Sequence, residues 1–212
     1  IKHLAEWMKP VRVKTPTMLF GTKSEYRYTP KGTVLILSPW NYPINLCLNP
    51  LIAALAAGNT AIIKPSSKVP RTARALKKFI DDTFDEDQVA IIEGSSAVSN
   101  LLLEYPFDHI FFTGSPRVGK IVMAAAAKNL TPVTLELGGK SPVIIDETAD
   151  IRLAAERVTW GKYLNAGQTC IAPDYVMIHE SRVDEFLASA ITAIRRRFGS
   201  TGEERRFNDS LC

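Results

Sequence analysis

Thr33-Val34-Leu35-Ile36-Leu37 and Thr60-Ala61-Ile62-Ile63-Lys64 are the two runs on which the fold turns. Each is short, almost wholly apolar and rich in β-branched residues, the pattern of a strand covered on both faces. Between them, Pro39-Trp40-Asn41-Tyr42-Pro43 predicts a turn, and residues 44 to 57 predict an Ala/Leu-rich helix closed by Gly58. The rhythm continues downstream. Residues 70 to 82 predict a helix with Pro70 in its first turn, 89 to 92 a strand stopped at Gly94, and 95 to 103 a short helix. Then come a strand at 109 to 112, a helix at 116 to 128 and a strand at 132 to 137. Strands alternating with helices at this spacing imply parallel βαβ units, hence an α/β fold with a doubly wound parallel sheet. Such sheets bind ligands beyond the carboxyl ends of their strands. The residues there are Asn41, Lys64, Thr113-Gly114-Ser115 and Glu136.

Outside this block two segments differ. Residues 15 to 31 are polar, rich in Thr and Tyr, and read as a hairpin or arm. From Gly138 onward, a strand at 143 to 145, a helix at 150 to 164, a strand at 175 to 179 and a helix at 181 to 197 predict the beginning of a second α/β domain.

Bulk properties narrow the function classes. A chain of 212 residues with 46% hydrophobic and 23% charged residues has the composition of a globular protein. Its apolar runs, such as residues 51 to 57, are far too short to span a bilayer, and the start Ile1-Lys2-His3 lacks a signal-peptide layout. The net charge is +4, and the clusters Arg195-Arg196-Arg197 and Arg205-Arg206 have no interleaved aromatics, so they read as a solvated helix face and not as a nucleic-acid site. Three cysteines without a close pair (Cys47, Cys170, Cys212) argue against a disulfide framework or a zinc site and for a reducing, cytoplasmic setting. No metal is expected.

Several motifs carry chemistry, each beside a plainer reading. Gly114 to Lys120 nearly matches a phosphate loop, but Ile121 has no hydroxyl for Mg²⁺, which removes the NTPase reading. What remains is a Gly-Ser turn into a helix, either an anion-binding turn or an ordinary connection. Asn165-Ala166-Gly167-Gln168-Thr169-Cys170 places a thiol after a polar, flexible stretch, where a core position would have apolar neighbours. Cys170 is either a small buried hydrophobe or a nucleophile assisted by a following helix or turn. Cys47 lies in an apolar helix and fits the first description. Glu136 in Leu135-Glu136-Leu137-Gly138-Gly139 puts a carboxylate at an apolar strand end, either ion-paired or held for acid–base work. Asn41, between Pro39 and Pro43, fits turn chemistry as well as a donor role.

Together these segments resemble the aldehyde dehydrogenase superfamily in order and spacing. The resemblance rests on Pro39-Trp40-Asn41-Tyr42-Pro43, Ala57-Gly58-Asn59-Thr60 with Lys64-Pro65-Ser66, Phe112-Thr113-Gly114-Ser115, Leu135 to Pro142, and Gly167-Gln168-Thr169-Cys170. Thr159-Trp160-Gly161-Lys162 and Cys170-Ile171-Ala172-Pro173-Asp174-Tyr175 are most similar to the class 3 branch, which acts on fatty and aromatic aldehydes. The resemblance implies a Rossmann-like dinucleotide-binding domain (residues 1 to 14 and 32 to 137), an oligomerisation arm (15 to 31) and the N-terminal part of a catalytic domain (138 to 212). It implies NAD or NADP as cofactor, an aldehyde as substrate and a homodimer. Cys170 would be the nucleophile, Glu136 the general base, and the Asn41 amide with the Cys170 backbone N–H the oxyanion hole. Lys64 and Ser67 would lie at the adenosine ribose, Ser115 at the pyrophosphate, and Trp40, Thr113, Gly114, Gly119 and Leu137 along the cofactor.

Two departures from the family pattern bear on these roles. Ser67 stands where the family often has a Glu that binds the ribose hydroxyls, and a small neutral residue does not repel a 2′-phosphate. The chain also begins at Ile1 and stops soon after the cysteine segment, so it reads as trimmed at both ends and, assayed alone, as inactive. A non-catalytic protein on the same scaffold and a CoA-acylating relative are the competing readings. The joint presence of Asn41, Glu136 and Cys170 disfavours the first, and Glu136 as a water-activating base disfavours the second.

Overall fold

The computed structural model describes residues 3–199; Ile1, Lys2, Arg205, Arg206 and Cys212 lie outside them. The chain forms two units that divide between Glu136 and Leu137.

The first unit is built on a five-stranded, all-parallel sheet. After a short helix α1 (Leu4–Trp7), β1 (Val11–Val13) pairs antiparallel with β2 (Ser24–Tyr26), so the arm's strand pairing reaches ahead of residue 15. The sheet and its helices follow as β3 (Thr33–Leu37), α2 (Asn45–Ala56), β4 (Thr60–Lys64), α3 (Pro70–Asp81), β5 (Val89–Ile91), α4 (Ser96–Leu102), β6 (His109–Thr113), α5 (Pro116–Ala127) and β7 (Val133–Glu136). Strand order is β5-β4-β3-β6-β7. The winding therefore reverses at β3: β4 and β5 are added on one side, β6 and β7 on the other. Such a switch point opens a crevice at the strand carboxyl ends.

Apolar burial explains why the central strands read so clearly. Val34, Leu35, Ile36 and Leu37 are all buried, so β3 is covered on both faces. One cluster joins Val34, Ile36, Ala61 and Ile63 of the sheet to Cys47 and Leu51 of α2 and to Leu76 and Ile80 of α3. In α3 the buried residues Ala73, Leu76 and Ile80 recur at helical spacing, while Arg71, Arg74 and Lys78 are exposed. Gly58 ends α2 with φ +83°, and Asn59 then ties three backbone segments together. Its Oδ1 accepts from the N–H of Lys31 (2.6 Å) and Gly32 (3.0 Å), and its Nδ2 donates to the Ala54 carbonyl (3.0 Å).

In the second unit β8 (Ser141–Ile145) pairs parallel with β9 (Pro173–Ile178). The connection between them contains α6 (Ile151–Tyr163), capped by Asp150, whose carboxylate accepts from the Leu153 N–H at 3.0 Å. Helix α7 (Val183–Phe198) follows and packs with α6 around Ile145, Ile151, Ala155 and Phe186. Its last turn carries Arg195, Arg196 and Arg197, all exposed, as a solvated helix end should.

Candidate functional site

A cleft of about 480 Å³ opens at the carboxyl ends of β3, β4 and β6. Ser38, Lys64, Ser66, Ser67, Lys68 and Arg117, with Ser96, Ser99 and Asn100 of α4, supply its polar lining, and Phe112, Val118 and Ile121 are among its apolar walls. Parallel pairing places the last residue of each strand at the same edge, which is why Leu37 and Lys64 stand in register there. Lys64 is buried, and that burial pulls its ammonium below the ordinary lysine range. It has no ion-pair partner among the described residues. A buried ammonium without a carboxylate gains from any acceptor that enters the cleft.

The turn after β6 is built for close approach. The Gly114 N–H donates to the Glu136 carbonyl at 2.9 Å, and a methyl at Gly114 would lie 2.5 Å from the Phe112 ring. Ser115 caps α5, its hydroxyl accepting from the Val118 N–H at 3.4 Å, and Pro116 opens the helix. Gly119 is buried one turn further along, its N–H bonded to the Ser115 carbonyl at 2.9 Å. The Thr113 hydroxyl is buried and has no partner among the described residues. A cationic cleft, an unpartnered hydroxyl and a Cβ-free turn at a helix start fit a dinucleotide of the NAD or NADP kind.

After β3, Asn41 is half-buried in the Pro-braced turn, and Trp40 is exposed with the Lys68 ammonium 5.6 Å from its ring centre. Glu136 pairs in register with Thr113 at the end of β7. Its side chain is exposed, contrary to the expectation of a carboxylate sunk in apolar surroundings. The reason is position: β7 is an edge strand with one neighbour, half-buried from Val133 to Leu135 and exposed at Glu136.

The thiol lies in the second unit. After α6, the backbone passes through Asn165 (φ 49°), Ala166 (φ 53°) and Gly167 (φ 78°), three successive left-handed residues inside the 3₁₀ turn Leu164–Gly167. For Ala166 this conformation carries strain. Cys170 is exposed and sits in a turn, closed by the Ala172 N–H donating to the Thr169 carbonyl at 3.1 Å, before β9 begins at Pro173. The Gly138-Gly139 loop packs against it closely, since a methyl on Gly139 would lie 2.5 Å from the Cys170 carbonyl oxygen. Lys140 pairs with Asp174 at 3.4 Å and fastens the same two segments. Leu137 is half-buried at the start of this unit. Cys47 contrasts with Cys170: it is buried, and burial pushes its thiol up to about 11, partly offset by the Ser38 hydroxyl.

The structure thus gathers Lys64 and Ser67 into one cleft, sets Thr113, Gly114 and Ser115 at the start of α5, and places Gly139 against Cys170. Sequence reading missed Lys68 and Arg117, which enter that cleft from the loop after β4 and the first turn of α5. Each looks like an ordinary surface cation. The available signal was that both follow a strand end within five residues.

The model of the aldehyde dehydrogenase family matches residues 1–206. The 4,4'-diaponeurosporen-aldehyde dehydrogenase of Staphylococcus aureus is 53% identical over 198 residues, covering 93% of this chain and 43% of that protein. Human aldehyde dehydrogenase family 3 member B1 is 46% identical over 199 residues, covering 94% of this chain and 42% of its own length. Among solved structures, the substrate-bound state of Staphylococcus aureus AldH superposes with a TM-score of 0.92 at 50% identity, covering 98% of this chain and 45% of that one. The chain spans less than half the length of these relatives.

Proposed function

Since the chain belongs to the aldehyde dehydrogenase family, we propose that the protein it forms part of oxidises an aldehyde to a carboxylic acid with NAD or NADP, through a thiohemiacetal and then a thioester on Cys170. The observation that carries this reading is the contrast between the thiols: Cys170 is exposed on a strained loop, while Cys47 is buried and proton-bound. Lys64 and Ser67 would hold the adenosine end of the cofactor, Trp40 and Leu137 would border it, and Thr113, Gly114, Ser115 and Gly119 would receive its phosphates. When bound, the cofactor supplies the hydride acceptor.

The chain's own groups do the rest. The Cys170 sulfur attacks the aldehyde carbon, and the Asn41 amide with the Cys170 N–H stabilises the oxyanion. After oxidation the sulfur carries an acyl group. Glu136 takes a proton from water, the resulting hydroxide attacks the thioester carbon, and the C–S bond breaks to release the carboxylate and restore the thiolate. An exposed carboxylate has ready access to that water, which supports this role for Glu136.

The test uses the full-length protein. Cys170→Ala should abolish aldehyde-dependent NAD(P)H formation, and an alkylating reagent should label Cys170 and spare Cys47. Asn41→Ala should lower kcat by roughly 10²–10³. Turnover that survives Cys170→Ala overturns the reading. The branch resemblance favours fatty or aromatic aldehydes, and S. aureus and human relatives named as aldehyde dehydrogenases agree with the class.

A homodimer and a cytoplasmic setting belong to the same proposal. The arm between β1 and β2 exposes Met18 and Phe20 almost fully, which supports an oligomerisation role. Among the described residues, no helix is long and apolar enough to cross a membrane. Sedimentation of Phe20→Asp beside the parent protein tests the arm: a shift toward monomer is expected.

A further inference from the structure

We infer that Lys68 and Arg117 make the cleft a reader of the adenosine 2′-phosphate, so that NADP is preferred over NAD; the inference rests on the cofactor site proposed above. NAD and NADP differ only in that phosphate monoester, which carries about −1.5 to −2 charge at neutral pH. The discrimination must therefore come from charge and hydrogen-bond donors at one end of the site.

The lining supplies donors and no counter-charge. Lys64, Lys68 and Arg117 line the cleft, and no Asp or Glu does. Ser66 and Ser67 add hydroxyls on the loop that carries Lys68. Neither Lys68 nor Arg117 forms an ion pair among the described residues. Lys68 is held over the Trp40 ring at 5.6 Å, a contact that orients an ammonium without neutralising it. Cations converging on one cleft repel each other unless an anion joins them. A carboxylate there would suit the paired ribose hydroxyls of NAD, and this cleft has none.

The pyrophosphate does not account for Lys68. It is assigned to the Ser115 turn, where backbone N–H groups serve. Lys68 comes instead from the loop after β4. An arginine from the first turn of α5 and a lysine from the loop after β4, both lining one cleft, suit a phosphate monoester, the first by bidentate bonding and the second as a point charge.

Calorimetric titration of the intact protein with 5′-AMP, adenosine 2′,5′-bisphosphate and adenosine 3′,5′-bisphosphate tests this without turnover. The 2′,5′-bisphosphate should bind on the order of tenfold or more tighter than 5′-AMP, and tighter than the 3′,5′ isomer. That ratio should shrink at high ionic strength. It should fall toward unity in the Lys68→Ala/Arg117→Ala double variant and persist in Lys120→Ala, which lies outside the cleft. Saturable binding of all three ligands with equal affinity overturns the inference and leaves the cofactor site standing. Equal gains for both bisphosphates show unspecific anion attraction and overturn it too. Failure of every adenosine ligand to bind overturns both readings.

Discussion

The two units place their chemistry on different foundations. In the first, the cleft is a by-product of topology: parallel strands that reverse order at β3 must leave their ends side by side, and Lys64 reaches the cleft by being the last residue of β4. In the second, the thiol is placed by local backbone geometry, with three left-handed residues behind it and Gly139 pressed against its carbonyl. The first site should therefore tolerate anything that leaves the sheet packed, and the second should respond to single methyl groups in loops.

The largest effect should come from the sheet. Ile63 is fully buried in the cluster shared by β3, β4, α2 and α3. Ile63→Ala should cost about 2–5 kcal/mol, read by denaturant unfolding. The loss should appear in hydrogen exchange across β3 and β4 and spare α6 and α7. Uniform loss across both units would show that they unfold as one and would break the comparison.

Next in size is Gly139→Ala. Its methyl has no room beside the Cys170 carbonyl, so the loop must shift at a cost of about 1–3 kcal/mol. The expected signature is a changed alkylation rate at Cys170 with β3 and β4 still protected from exchange. Asp150→Ala should be milder, about 1 kcal/mol, because it removes only the cap of α6. Its effect belongs in the second unit.

The same contrast explains what could be read from sequence. Strands Thr33–Leu37 and Thr60–Lys64 carry their bounds in an apolar run with polar ends, and both were legible to the residue. The Gly58-Asn59 pair was visible as a motif, but its work is structural: Asn59 satisfies the backbone of Lys31 and Gly32, a long-range pairing that no local pattern announces. Glu136 was legible as a carboxylate at an apolar strand end, but its exposure was not, because such an end says nothing of how many neighbours the strand has. Lys68 and Arg117 were missed because convergence of two distant surface cations is a property of topology. The positive φ at Ala166 was invisible, since alanine favours helix and the strain is imposed by its surroundings.

The smallest expected effect concerns pH and the first unit alone. His109 opens β6 with its Nε2 2.9 Å from the Thr134 hydroxyl and its Nδ1 buried without a partner among the described residues. Burial, and after it the Lys31 charge, hold its pKa below the ordinary value of 6.5. A depressed folded pKa means that the unfolded chain binds the proton more readily. The stabilisation is present above 6.5, and it is lost as pH falls from there through the folded value. Acidification across that window should speed exchange in β6 and β7 and leave α6 and α7 unchanged. His109→Gln, which cannot titrate, should flatten the dependence. If the variant keeps the full acid sensitivity, the responsible group is not His109.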